Sequence, residues 1–201
     1  NAETWDLSLH IVGKIVNDLS NHGIGIEFVN LGGGFPAVYS QPSPSISSVA
    51  RVINRAVKKY LPKDIKLFAE PGRYLAANST TCVTSIIGIE HRSGSDWIYL
   101  DIGAFQGLIE PLEMTELSYP IRSHKSDKGY NKNFTLTGPT CDACDTLGDG
   151  YSLPADLKIG DRLYIDAVGA YSLVYASNFN GFNIPNNYFI NTVTEVGVSD
   201  E

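Results

Sequence analysis

Five short segments of this chain place thiol, carboxylate, guanidinium and phenol groups beside glycine turns. Gly138-Pro139-Thr140-Cys141-Asp142 sets a thiol next to a carboxylate. Gly169-Ala170-Tyr171 and Asn178-Phe179-Asn180-Gly181-Phe182 follow it, and Asn30-Leu31-Gly32-Gly33-Gly34-Phe35-Pro36 and Ala69-Glu70-Pro71-Gly72-Arg73-Tyr74 precede it. The triple glycine at 32–34 lets a backbone approach a ligand, and successive N–H groups there can hold a phosphate. A strand-to-helix turn without a ligand uses the same residues. Glu70 and Arg73 add a carboxylate and a guanidinium beside a turn; Arg can clamp phosphate oxygens with two parallel bonds, or the pair can be an ordinary surface turn.

Cys141 and Cys144 form Cys-Asp-Ala-Cys, the spacing of a redox pair or of half a zinc site. No second cysteine pair accompanies it, so no metal site is expected, and a single thiol beside a carboxylate suits proton transfer better. Cys144 is then expected to be a small buried residue. His10, His22, His91 and His124 show no ligand spacing. Asp101 closes the apolar run Trp97–Leu100 just before Gly103, where it can form a turn or present a ligand carboxylate. Tyr171 can be a strand aromatic or a ligand phenol.

The elements that carry these groups change character along the chain. Leu7, Ile11, Val12, Ile15, Val16 and Leu19 recur at helical spacing, and His22-Gly23 supplies a stop. Ile24 to Leu31 is β-prone and ends in the three glycines. A second helical stripe runs from Ile46 to Tyr60 and closes at Pro62; Ile65 to Ala69 is again β-prone. Two αβ units with parallel strands follow from that order, and both glycine motifs fall after a strand's C-terminal end, where αβ folds place ligands.

After Thr81 the pattern becomes short β-rich runs: Cys82–Glu90, Trp97–Leu100, Phe134–Thr137, Arg162–Ile165, Leu173–Ala176 and Tyr188–Thr194. Ser93–Asp96 and Gly148–Gly150 read as turns between them, and the polar stretch Ser123–Asn133 as an exposed loop. The fold class expected is α/β plus all-β. Residues 1–81 would be about two αβ units of a partial barrel, and residues 82–201 an antiparallel β sandwich or barrel. Two αβ units cannot close an eight-stranded barrel, so a partner segment is expected for the first part.

The 201 residues are 43% hydrophobic, as in folded soluble domains. A formal net charge of −7 argues against nucleic acid or an anionic membrane as partner. No apolar run approaches the ~20 residues of a spanning helix, and the start lacks the features of a signal peptide, which leads to a cytoplasmic expectation. Three cysteines are too few for a disulfide scaffold. A start without Met, almost inside a helical pattern, suggests a part of something longer.

In combination and order, Gly-Gly-Gly-Phe-Pro, Glu-Pro-Gly-Arg-Tyr, Gly-Pro-Thr-Cys-Asp and Gly-Ala-Tyr followed by Phe-Asn-Gly-Phe resemble the fold-type III pyridoxal-phosphate-dependent amino acid decarboxylases. The likeness runs from Trp5 to about Tyr188 and is strongest to the ornithine and lysine/ornithine branch. Diaminopimelate decarboxylases typically read Cys-Glu-Ser where this chain has Cys141-Asp142-Ala143. The resemblance implies an αβ barrel followed by a β domain, with pyridoxal 5′-phosphate as cofactor. Gly32, Gly33, Gly34, Glu70, Gly72, Arg73 and Tyr171 would bind the cofactor, Glu70 at the pyridine nitrogen and Tyr171 at the phosphate. Asp101 and Asp142 would hold the distal ammonium of ornithine or lysine, and Cys141 would return a proton to the α-carbon. A homodimer with shared sites is implied, Cys141 and Asp142 completing the partner's pocket.

The Schiff-base lysine and a ring-stacking histidine of such enzymes lie upstream of where this chain begins, and none of Lys14, Lys58, Lys59, Lys63 or Lys66 sits in a matching motif. The chain is thus expected to be a C-terminal portion, missing an N-terminal barrel segment and inert alone. Two other readings stand beside this one. One is a non-catalytic paralogue that binds a regulatory protein, as antizyme inhibitors do. The other is a free-standing accessory β domain.

Overall fold

The computed structural model describes residues 2–114, 117–124 and 129–190. Helix α1 (Thr4–Asn21) stops at His22-Gly23 as expected, the N–H groups of both turning back to the Leu19 and Ser20 carbonyls. Helix α2 (Ile46–Tyr60) starts at Ser45, whose hydroxyl accepts the Ser48 N–H at 3.2 Å. It ends at Leu61, held extended before Pro62. Strands β1 (Phe28–Asn30) and β2 (Lys66–Phe68) pair in parallel, Phe28 opposite Lys66, and are shorter than the β-prone runs that contain them. The helices close on each other at Gly13, where an added Cβ would lie 2.5 Å from the Tyr60 carbonyl oxygen. Leu9, Val16, Val29, Phe35, Val49, Ile53 and Ala56 form the core beneath them.

The single apolar stripe expected on α1 is in fact two. Val16 is buried with Leu9 and Gly13, whereas Leu7, Ile11 and Ile15, one turn apart, are 63%, 51% and 53% exposed. Helical periodicity shows that a face is apolar but not which neighbour covers it.

A short helix α3 (Gly72–Ala76) and a 3-10 turn (Ala77–Ser79) lead into β3 (Cys82–Arg92), the longest strand. It pairs through Cys82–Ser85 with β8 (Arg162–Ile165) and through Ile86–Arg92 with β4 (Ser95–Leu100), bending at an irregularity between Ile86 and Gly88. The β3–β4 hairpin closes on Ser93-Gly94, both with positive φ, as a tight two-residue turn needs. Strands β5 (Ile121–Ser123), β6 (Asn131–Thr137) and β7 (Thr146–Pro154) complete one six-stranded sheet, in the order β5-β8-β3-β4-β6-β7. Its two edge strands, β5 and β7, touch, so the sheet is nearly a closed barrel. Ile86, Ile98, Leu100, Leu136, Leu163 and Ile165 fill it.

The sheet departs from the antiparallel expectation at one place: β4 and β6 run parallel, because the connection between them carries helix α4 (Glu110–Glu113) and β5 and returns the chain in the same direction. Gly148–Gly150 is not a turn between strands but lies inside β7, where Gly148 (φ 139°) and Gly150 (φ 72°) take up irregularities in the pairing with β6. Leu173–Ala176 is not a strand. Tyr171 is left-handed and Ser172 non-extended, so the chain curls into a 3-10 turn at Leu173–Tyr175. Of Tyr188–Thr194, residues 188–190 form no strand, and 191–194 lie outside the described residues. The polar stretch expected as a loop at 123–133 is shorter than that: Ser123 ends β5 and residues 131–133 begin β6, while residues 125–128 lie outside the described residues. No helix among the described residues is long and apolar enough to cross a membrane.

Candidate functional site

The chain leaves β1 at Asn30 and β2 at Phe68, and parallel pairing brings the two following loops side by side. The Glu70 N–H donates to the Gly32 carbonyl at 2.9 Å, and the Gly72 N–H to the Glu70 carbonyl at 2.8 Å. Gly32 (φ 71°) and Gly34 (φ 79°) are left-handed, with Gly33 between them close to the Glu70 carbonyl. The Gly33 and Gly34 N–H groups are exposed and make no hydrogen bond among the described residues. Two free donors on an open glycine turn form a cradle for an anion. Asn30, which sequence reasoning missed as a functional residue, pins both loops: its Oδ1 accepts the Gly32 N–H at 2.8 Å and its Nδ2 donates to Glu70 Oε1 at 2.6 Å. An amide at the strand end before a glycine run is the signal that could have found it.

Arg73 stands one residue into α3, at the rim of these loops. Its guanidinium meets the carboxylate of Glu110 through both terminal nitrogens, Nη1 to Oε2 at 2.6 Å and Nη2 to Oε1 at 2.5 Å. Nη1 also donates to the Tyr39 hydroxyl at 2.9 Å. The hydrogen bond to Glu110, more than any other cause, raises the Arg73 pKa above its ordinary value. Burial raises the Tyr39 phenol against the opposing pull of Arg73. The two-pronged phosphate clamp that sequence suggested for Arg73 is therefore already engaged by a carboxylate. Neither Tyr39 nor Glu110 carried a motif signal.

The Gly-Ala-Tyr motif joins this group. The Gly169 N–H donates to the Ala77 carbonyl at 2.8 Å, and a side chain at Gly169 would collide with the Ala76 carbonyl and Ser79. That approach sets Tyr171, left-handed at φ 54°, with its ring 4.7 Å from the Arg73 guanidinium carbon.

The Cys141 loop is elsewhere. Asp145, fully buried, holds it: Oδ2 accepts the Thr140 N–H at 3.0 Å and the Thr140 hydroxyl at 2.7 Å, while Oδ1 accepts the Ala104 N–H at 2.7 Å. A Cβ at Gly103 or Gly138 would strike that carboxylate, so both glycines make room for it. Cys141 is left-handed (φ 60°) and exposed, a conformation L residues adopt only when the surroundings impose it. Asp142 Oδ1 accepts the Cys144 N–H at 2.8 Å. Cys144 is exposed, not buried as expected, because this turn faces outward. Cys141 and Asp142 line a cavity of about 640 Å³ together with Arg92, Trp97 and Tyr99. The Phe-Asn-Gly-Phe motif braces the loop, Asn180 Nδ2 donating to the Thr140 carbonyl at 2.8 Å.

None of Gly32, Gly33, Gly34, Glu70, Arg73 or Tyr171 lines that cavity. Asp101 belongs to neither group: its Oδ1 accepts the Thr84 hydroxyl at 2.5 Å and the Ser85 N–H at 2.9 Å, tying β3 to the end of β4. The candidate residues thus form one loop-end cluster, one outward-facing thiol loop and one carboxylate bound within the sheet.

A flat ring carrying a phosphate, with a basic nitrogen on the ring, fits the first cluster: free N–H donors for the anion, an exposed carboxylate at Glu70 for the nitrogen and a phenol at Tyr171. Residues 16–169 match the family model "Pyridoxal-dependent decarboxylase, C-terminal sheet domain". The chain belongs to the pyridoxal-dependent decarboxylases. Lysine/ornithine decarboxylase of Selenomonas ruminantium is 30% identical over 183 residues, covering 90% of this chain and 45% of that protein. Antizyme inhibitor 2 of Xenopus laevis is 31% identical over 179 residues, 81% and 39% of the two chains. The solved lysine/ornithine decarboxylase of Vibrio vulnificus complexed with putrescine superposes with a TM-score of 0.78 at 32% identity, over 91% of this chain and 49% of that one. The chain spans about half the length or less of these decarboxylase relatives and corresponds to their C-terminal part. The family's cofactor is pyridoxal 5′-phosphate.

Proposed function

We propose that this chain is the C-terminal portion of a carboxy-lyase that converts a basic amino acid, ornithine or lysine, to its diamine. The observation that carries this reading is the convergence of Gly32–Gly34 and Glu70 on two parallel strand ends, with Tyr171 packed on the neighbouring Arg73, in a pyridoxal-dependent family. Residues 1–81 would be the last part of the cofactor-binding αβ barrel and residues 82–201 its β domain. The exposed stripe of Leu7, Ile11 and Ile15 supports this, since an upstream αβ unit would cover it.

When bound, pyridoxal phosphate supplies an electron sink for the charge left on the α-carbon as carbon dioxide departs. The residues of this chain do the rest. Gly33 and Gly34 offer N–H groups to the phosphate, and the Tyr171 hydroxyl adds a third donor. Glu70 keeps the ring nitrogen protonated. The Cys141 thiol holds the proton that returns to the α-carbon. Asp142, whose second carboxylate oxygen has no hydrogen bond among the described residues, takes the distal ammonium, with Asp101 as a second carboxylate. Because the thiol loop lines a cavity that none of the loop-end residues borders, it would serve the site of a second copy, making the working unit a homodimer. No lysine here lies in a matching motif, so the chain alone would be inert, and its setting would be cytoplasmic.

The match to antizyme inhibitor 2 favours one second reading, a non-catalytic paralogue that binds a regulatory protein. The test is diamine release from ornithine and from lysine by this chain joined to the upstream half of a family member. Turnover is expected, with Cys141→Ala lowering it at least about a hundredfold while cofactor binding survives. Cofactor binding without turnover in the unaltered protein would favour the paralogue; turnover unaffected by Cys141→Ala would remove the thiol from the mechanism.

A further inference from the structure

We infer that Glu110 is a positioning residue for Arg73, and that Arg73 serves the cofactor phosphate as a fixed charge carrying Tyr171 rather than as a two-pronged clamp. The inference rests on the cofactor site proposed above. Glu110 begins α4, on the sheet side of the molecule, and is 4% exposed; Arg73 is the second residue of α3, where the β2 loop ends. The carboxylate takes one N–H from each terminal nitrogen of the guanidinium. Tyr39 takes another from Nη1, and Nη2 lies 3.8 Å from Met114 Sδ. Only Nε–H is left without a partner among the described residues. A bidentate carboxylate fixes the plane of the guanidinium. The guanidinium carbon lies 4.7 Å from the centre of the Tyr171 ring and 5.9 Å from that of the Tyr39 ring, so fixing the guanidinium holds the Tyr171 phenol beside the start of α3. Glu110 thus reaches the phosphate through two side chains without touching it.

The experiment measures binding of pyridoxamine 5′-phosphate by equilibrium dialysis to the same joined protein, this chain with the upstream half of a family member. This compound lacks the aldehyde that would condense with surface lysines. Arg73→Ala, Glu110→Ala and the double variant complete a cycle. Arg73→Ala and Glu110→Ala are each expected to weaken binding by about tenfold, and the double variant no more than Arg73→Ala alone, because the effect of Glu110 vanishes once Arg73 is gone. A purely structural contribution would instead multiply the two losses, which would overturn the inference. So would unchanged binding by Glu110→Ala where Arg73→Ala is weakened. Unchanged binding by Arg73→Ala, or no saturable binding by the unaltered joined protein, overturns the proposed phosphate site and this inference with it. Where Glu110→Ala fails to fold by circular dichroism, the cycle runs on Glu110→Gln, which keeps a neutral acceptor and is expected to lose less.

Discussion

The glycine-loop cluster and the Cys141 loop are both built to present chemical groups, but they are held in opposite ways. Around Gly32–Gly34 the pinning bonds run between exposed partners, Asn30 and Glu70, at the ends of two three-residue strands that pair only with each other among the described residues. Around Cys141 a single buried carboxylate gathers two backbone amides and a hydroxyl from two segments, at Ala104 and at Thr140, far apart in the chain. The first region is pinned at its exposed surface; the second is held from within. A thiol held in a left-handed conformation needs that support, whereas a phosphate cradle made of glycine needs almost none, because its conformation is free to the residues that form it.

The sharpest break of this comparison is Asp145→Ala. It leaves the Ala104 and Thr140 N–H groups buried without an acceptor, and hydrogen bonds to a charged group are worth more than neutral ones. A loss of about 3–5 kcal/mol in urea unfolding is expected. Asn30→Ala, which removes a comparable number of bonds from exposed partners, is expected to change stability by less than about 1 kcal/mol. Equal effects of the two substitutions would show that the loops are not held differently.

What could be read in advance follows the same division. The two αβ units, the stop at His22-Gly23 and the start at Ser45 were legible because caps and helical periodicity are local. The switch after Thr81 was legible from β-rich composition. Asp145 was not singled out, since its meaning comes from Ala104, far away in the chain, and from two glycines whose emptiness matters only once the carboxylate lies between them. Glu110 was hidden for the same reason: its partner Arg73 sits across the junction. Gly148–Gly150 misled, because a glycine inside a strand and a glycine between strands look alike until the pairing is known.

The next prediction presses on the αβ side. Gly13 lets α1 and α2 approach so closely that a methyl group would lie 2.5 Å from the Tyr60 carbonyl and 2.9 Å from its Cβ. On helix propensity alone, Gly13→Ala should stabilise α1 by up to about 1 kcal/mol. The contact is with backbone, which cannot move aside, so a net destabilisation of about 1–3 kcal/mol is expected instead. Urea melts followed by the far-ultraviolet helix signal decide the sign, and a rise in midpoint would mean that the two helices can slide apart at no loss. That result would make the αβ region looser still than the comparison holds.

The smallest effect asked for perturbs nothing and reports on the boundary between the two regions. Cys82 opens β3 immediately after the αβ segment, and burial, with the nearby Asp101 charge adding to it, pushes its thiol up to about 12. At pH 8 only about one such thiol in ten thousand is ionised, and the thiolate is the form that alkylates. Cys141 and Cys144 are exposed on their loop. Iodoacetamide at pH 8 is therefore expected to modify Cys141 and Cys144 in the folded chain and to reach Cys82 only after denaturation, as read by peptide mass. The sign of the pH effect follows: raising the pH toward 10 should speed Cys82 labelling in proportion to hydroxide, since each unit multiplies its ionised fraction tenfold until the thiol titrates. Rapid labelling of Cys82 at pH 8 in the native chain would place the opening of β3 within reach of solvent. The sheet could not then be the self-supporting half of the molecule, and the strand that joins the two regions would be its weakest point rather than its anchor.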